Sequence, residues 1–185
     1  MKRFLLFLLL LIPFLFALFE LFILENVKDP IKYIYTISGV SSTVILFFTI
    51  LISLIKKHFN ILKYRRMIGL YGFFYALIHF LNFIVLDAEL KIDFILKETL
   101  DKPFIYLGMF AFLILTFLAI TSTNRLFKIY QTYHKLIYLS LILITIHFIM
   151  AQKSLTILQL FYIAIIILIG YLKLLQQIIR KNRVH

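Results

Sequence analysis

YRRMIGLYGFFYALIHFLNFIVL, residues 64–86, decides how this chain folds. After Arg65-Arg66 come twenty residues, 67–86, without a charged side chain, and Asp87 follows them. A helix needs ~20 apolar residues to cross the hydrocarbon layer of a bilayer, so 67–86 reads as a transmembrane span. Gly69, Gly72, Ala76 and His79 are spaced 3, 4 and 3 and share one face of that helix. An ionisable residue inside lipid is expensive, so His79 points to function by default.

The same length test gives further spans at about 4–24, 34–55, 104–122, 133–151 and 155–172. The expected fold is all-α: an integral membrane bundle of six transmembrane helices, with residues 1–185 forming a single transmembrane domain. Composition agrees. The chain is 63% hydrophobic with a mean hydropathy of +1.03, more apolar surface than a soluble domain of this length can hide. The first span follows Lys2-Arg3, but it is too long for a signal peptide and no small-residue cleavage site follows, so it reads as an anchor. Spans five and six are expected to join in a tight turn at Gln152-Lys153-Ser154. Pro30 is expected before an extended or turn-like lead-in, and Pro103 in the first turn of a helix.

Charge orients the bundle. The N-terminus, the 56–66 loop, the 123–135 loop and the C-terminal tail hold 14 of the 20 Lys and Arg residues and none of the eight acids. The positive-inside rule puts both termini in the cytoplasm and the acidic 87–103 loop outside, in a multi-pass protein. The net charge of +12 therefore reflects topology and contact with the lipid bilayer, and no nucleic acid partner is expected. Tyr64, Tyr71, Tyr106, Tyr130, Tyr133 and Tyr171 lie near span ends as an interfacial belt, since tryptophan is absent. Cysteine is absent too, which excludes disulfides, thiolate-held clusters and c-type haem attachment. No nucleotide-binding motif is visible.

With this orientation, His79 and His147 fall at similar depth in the outer half of the bilayer. Two neutral imidazoles on facing helices can supply the fifth and sixth ligands of one b-type haem iron. The face of Gly69, Gly72 and Ala76 offers a shallow channel for a flat macrocycle. The competing readings are close helix packing through the small residues and a histidine bonded to a neighbouring carbonyl. His134 precedes His147 by 13 residues, a rise of ~20 Å, which suits a second, inner haem or a plain interfacial contact. The position 13 before His79 is Arg66, so an inner haem lacks a matching imidazole from the third span. Arg65 and Arg66, at the end of a cluster with Lys56, Lys57 and Lys63, can pair with haem propionates or a flavin phosphate. His58 and His185 read as solvated. Ser122, Thr123 and Asn124 read as caps for the carbonyls closing span four.

YRRMIGLYGFFYALIHF (64–80), KPFIYLGMFAFLILTFLAITSTN (102–124) and YHKLIYLSLILITIHF (133–148) resemble the MsrQ, or YedZ, family. This family supplies the haem-binding membrane subunit of the periplasmic methionine-sulfoxide reductase system, within the ferric-reductase-like transmembrane superfamily. Asp29-Pro30 to Ser38-Gly39 is similar to the family's DP…[ST]G segment. The likeness runs over about residues 29–175 and rests on three histidines, the Arg-Arg pair and the TST tail in the right order. It implies a subunit that takes electrons from membrane quinol, sometimes through FMN, and passes them through one or two haem b groups. The implied acceptor is a periplasmic molybdopterin-dependent methionine-sulfoxide reductase catalytic subunit. His79, His134 and His147 occupy the haem-ligand positions. FMN rests on no motif here, Tyr130 stands where relatives often carry tryptophan, and the first span matches poorly.

Two other functions use the same histidines. A small transporter or proton pathway would show internal repeats or helices broken at mid-membrane, and neither is evident. A ferric-reductase-type cytochrome would need an NAD(P)H-binding domain, which these residues do not supply.

Overall fold

The computed structural model describes residues 2–55, 64–152 and 156–182, all in helices and their connections. The expected readings of His58, His185, Lys56, Lys57, Lys63 and Lys153-Ser154 lie outside the described residues.

α1, Lys2–Phe22, and α2, Pro30–Ile55, are the first two helices. Pro30 is itself the first residue of α2, not part of an extended lead-in. Asp29 caps the helix, its Oδ1 accepting from the Lys32 amide at 3.0 Å. α3, Arg65–Leu81, widens into a π turn over Asn82–Asp87, where Asn82 donates to the Ile31 carbonyl at 3.0 Å. The acidic segment after it, expected as a loop, contains α4, Ile92–Asp101. α5, Pro103–Ile120, starts on its proline as expected. α6, Asn124–Tyr130, runs through a 3₁₀ segment, Gln131–Lys135, into α7, Leu136–Ala151. α8, Ile157–Asn182, is the last.

Among the described residues five helical stretches are long and apolar enough to cross a membrane: Arg3–Phe22, Pro30–Ile52, Arg65–Asp87, Pro103–Ile120 and Asn124–Ala151. The apolar part of α8, Gln159–Leu172, is shorter. The protein is thus a multi-pass helical membrane protein. Large apolar side chains such as Phe110, Leu113 and Ile120 are exposed, as a lipid solvent permits.

α2 is the centre of the bundle. One of its faces joins Leu46, Phe47 and Ile50 to Leu115 of α5, Leu141 of α7, and Ile166 and Ile169 of α8. The other joins Ile45 and Ile52 to Leu10 of α1 and to Ile68 and Tyr75 of α3. Lipid is as apolar as leucine, so close packing rather than water exclusion must hold these helices together. Polar bonds between helices add to it. The Ser42 hydroxyl of α2 donates to the Gly72 carbonyl of α3 at 2.9 Å. Such bonds are worth roughly 0.6 kcal/mol each on average in membrane proteins. The Tyr75 hydroxyl is set into α1 beside Pro13, donating to the Leu10 carbonyl at 2.7 Å and accepting from the Phe14 amide at 3.2 Å. It bridges a pair that an unbroken helix would bond directly.

Candidate cofactor site

α3 packs against α2, and α5 packs against α7. Each pair contributes one histidine to a common space. His79 of α3 and His147 of α7 lie with ring centroids 6.0 Å apart and ring planes 84° apart.

The partners of each ring settle its proton. His79 Nδ1 is 3.2 Å from the Tyr35 carbonyl and 3.4 Å from the Ser38 hydroxyl oxygen. Ser38 already donates its proton to the Ile34 carbonyl, so both neighbours accept and Nδ1 carries the hydrogen. His147 Nδ1 likewise donates to the Phe104 carbonyl at 2.6 Å. In its neutral form each imidazole therefore has its lone pair on Nε2. A carbonyl bonded to the non-ligating nitrogen is the usual support of a metal-binding histidine.

The separation fits a shared metal. A ring nitrogen binds a metal at about 2 Å, which sets two opposed imidazole centroids about 6 Å apart. Among the described residues no three His, Cys, Asp or Glu side chains cluster to hold an ion by themselves. A pair of imidazoles at this separation would suit a group that brings its own remaining donors, as a porphyrin does. Aromatic rings stack between α3 and α5, and one meets His147. Phe112 stacks on Phe80 at 4.3 Å and on Phe73 at 5.9 Å, and Phe104 lies 5.9 Å from His147.

The other expected site residues lie elsewhere. Gly72 opens no channel, because Leu46 of α2 fills the place of its side chain: a Cβ there would sit 2.6 Å from Leu46 Cδ2. Ala76 packs against the same apolar cluster. This face is a helix-packing face, and the expected macrocycle groove along it is filled by α2. His134, in the 3₁₀ segment, has Nε2 3.2 Å from the Thr121 hydroxyl and its ring 4.7 Å from Phe127. Thr121 gives its own proton to the Phe117 carbonyl at 2.7 Å, so His134 donates through Nε2 and keeps its lone pair on Nδ1. That is the reverse of the other two. Arg65 lies near enough to His134 to act on it electrostatically, and Arg66 Nη1 donates to Asn124 Oδ1 at 2.8 Å. Ser122 bonds the Leu118 carbonyl at 2.7 Å, the capping role expected of it.

Sequence reading missed the groups that hold the paired rings: the Tyr35 and Phe104 carbonyls, Ser38, and the glycines Gly39 and Gly108 that the two imidazoles touch. The Ser38-Gly39 dipeptide was visible as a motif element, but backbone acceptors leave no trace in side-chain spacing.

Residues 50–145 match the family model described as ferric reductase like transmembrane component, a stretch that includes His79 and His134. The protein-methionine-sulfoxide reductase heme-binding subunit MsrQ of Agrobacterium fabrum is 37% identical over 150 residues, which cover 77% of this chain and 70% of the relative. The same-named subunit of Brucella ovis is 35% identical over 132 residues, covering 68% of this chain and 60% of the relative. The chain thus spans less than two thirds of the Brucella protein. No solved structure matches.

Proposed function

Because the chain belongs to the MsrQ family of ferric-reductase-like transmembrane components, we propose that it is a membrane electron-transfer subunit that holds haem b between His79 and His147. In this reading it serves the repair of oxidised methionine. The observation that carries it is the pair of imidazoles 6.0 Å apart, each with Nδ1 tied to a carbonyl and Nε2 left to ligate.

Bound there, the haem supplies a one-electron carrier in a low-dielectric layer that electrons otherwise cross poorly. The chain's own residues do the rest. His79 and His147 would hold the haem through Nε2, and the Tyr35 and Phe104 carbonyls would keep both rings in the ligating tautomer.

The finer parts of the proposal follow from charge and family. The chain crosses the bacterial inner membrane six times, with α8 as the sixth span and both termini in the cytoplasm. Electrons enter from quinol and leave on the acidic side, beside α4, to a periplasmic molybdopterin-dependent reductase subunit. At the basic end, His134 with its free Nδ1 and the guanidinium of Arg65 serve a second haem or the phosphate of FMN. Counting haem and flavin per chain decides between these two.

Protein purified from haem-replete cells should show a Soret band that shifts on dithionite reduction, and a pyridine haemochrome of the b type. His79→Ala and His147→Ala should each abolish the signal of the paired site. Colourless wild-type protein would refute the proposal.

A further inference from the structure

We propose that Gly39 and Gly108 are positioning residues for the paired imidazoles, each leaving room for the ring that bonds the carbonyl four residues before it. This inference rests on the haem reading above.

The two histidines use the same device on unrelated stretches of chain. His79 bonds the carbonyl of Tyr35, and its ring touches Gly39, four residues further along α2. His147 bonds the carbonyl of Phe104, and its ring touches Gly108, four residues further along α5. A helical carbonyl at position i already accepts from the amide of i+4, and one lone pair remains. The Cβ of i+4 tilts toward the helix N-terminus and covers the flank of that carbonyl. Slender donors such as Asn82 and Ser42 reach such carbonyls past a Cβ, but an imidazole lying over position i+4, as both do here, leaves no room for one.

The distances bear this out. A Cβ on Gly39 would stand 3.1 Å from His79 Cε1 and Nδ1, and one on Gly108 would stand 2.8 Å from His147 Nδ1. The first contact demands a shift of a few tenths of an ångström, and the second a larger one. Either would lengthen the hydrogen bond from Nδ1 to the carbonyl and turn the ring about the axis that aims Nε2. Glycine inside a helix costs roughly 1 kcal/mol relative to alanine, so two of them at matched positions need a reason. Not every glycine here has the same role, because the atom nearest a Gly72 Cβ belongs to Leu46 and not to a histidine.

The test compares Gly39→Ala, Gly108→Ala and Gly72→Ala in the full-length protein in detergent. The readings are haem per chain, the ferric EPR spectrum and the midpoint potential. Gly108→Ala should lower haem occupancy several-fold, and Gly39→Ala less. In both, the remaining haem should show displaced g values and a displaced potential. Gly72→Ala disturbs packing at 2.6 Å, so it should lower thermal stability while leaving g values and potential in place. Wild-type spectra in both histidine-facing variants would overturn the inference, and so would equal displacement in all three. Should the alanine variants fail to accumulate, proton ENDOR of the unmodified ferric protein asks the same question. Two strongly bonded, slowly exchanging Nδ1 protons are expected, and their absence would overturn it. If wild-type protein binds no haem, the haem reading itself has failed, which is a separate result.

Discussion

Tyr35 meets His79 twice, through a carbonyl 3.2 Å from Nδ1 and through a ring whose centroid lies 5.2 Å from the imidazole. The tyrosine's other end donates to the Asp87 carboxylate at 2.9 Å. One residue thereby spans from the ligating ring to the acidic end of the bundle. Tyr35→Phe removes only the hydroxyl, leaving carbonyl and ring in place. It should cost about 1 kcal/mol of stability, the usual net worth of such a bond, with haem content unchanged. Thermal unfolding in detergent alongside the Soret absorbance checks both halves.

Gly69 and Gly72 lie one turn apart on α3 yet should respond oppositely to alanine. At Gly69 the nearest atom to an added Cβ is Thr49 Cγ2 at 3.9 Å, an ordinary contact. Gly69→Ala should stabilise the helix, by up to roughly 1 kcal/mol. At Gly72 the same methyl overlaps Leu46, and overpacking of that kind costs about 1–3 kcal/mol. Opposite shifts in unfolding temperature are expected from the two variants.

Much of this architecture was legible because lipid imposes simple rules. The apolar runs marked where the long helices lie, since a continuous run of ~20 apolar residues satisfies its own backbone groups in hydrocarbon only as a helix. His79 and His147 were legible as a pair, because an imidazole in an apolar span demands an explanation. The acidic segment was not read as α4, because charge drew attention away from apolar positions such as Ile92, Leu96 and Leu100 on its ten residues. The small residues of α3 were half legible. Their spacing marked a close approach, but only the neighbour decides whether a cofactor or Leu46 fills the gap. The true supports of the site are main-chain carbonyls, which every residue possesses and no motif distinguishes.

His134 separates one haem from two. Its Nε2–H is bonded to Thr121, and no second histidine faces it among the described residues. His134→Ala should leave the EPR signal of the His79–His147 site unchanged. The haem count then reports on the basic end alone: a fall by half assigns a second haem there, and a constant count leaves His134 as a plain interfacial contact or a flavin partner.

Topology can be read by labelling, because the chain has no cysteine of its own. Lys97 on α4 and Arg125 on α6 are both exposed. Lys97→Cys should react with a membrane-impermeant maleimide in intact spheroplasts, and Arg125→Cys only after permeabilisation. The opposite pattern would invert the charge-based orientation.

The most direct measurement is EPR with near-infrared magnetic circular dichroism on the oxidised, purified wild-type protein. A low-spin ferric signal with the charge-transfer band of two imidazole ligands is expected. Strong g anisotropy should accompany it, as ring planes 84° apart would give. A high-spin iron, a different axial pair, or no haem at all would contradict a metal shared by His79 and His147.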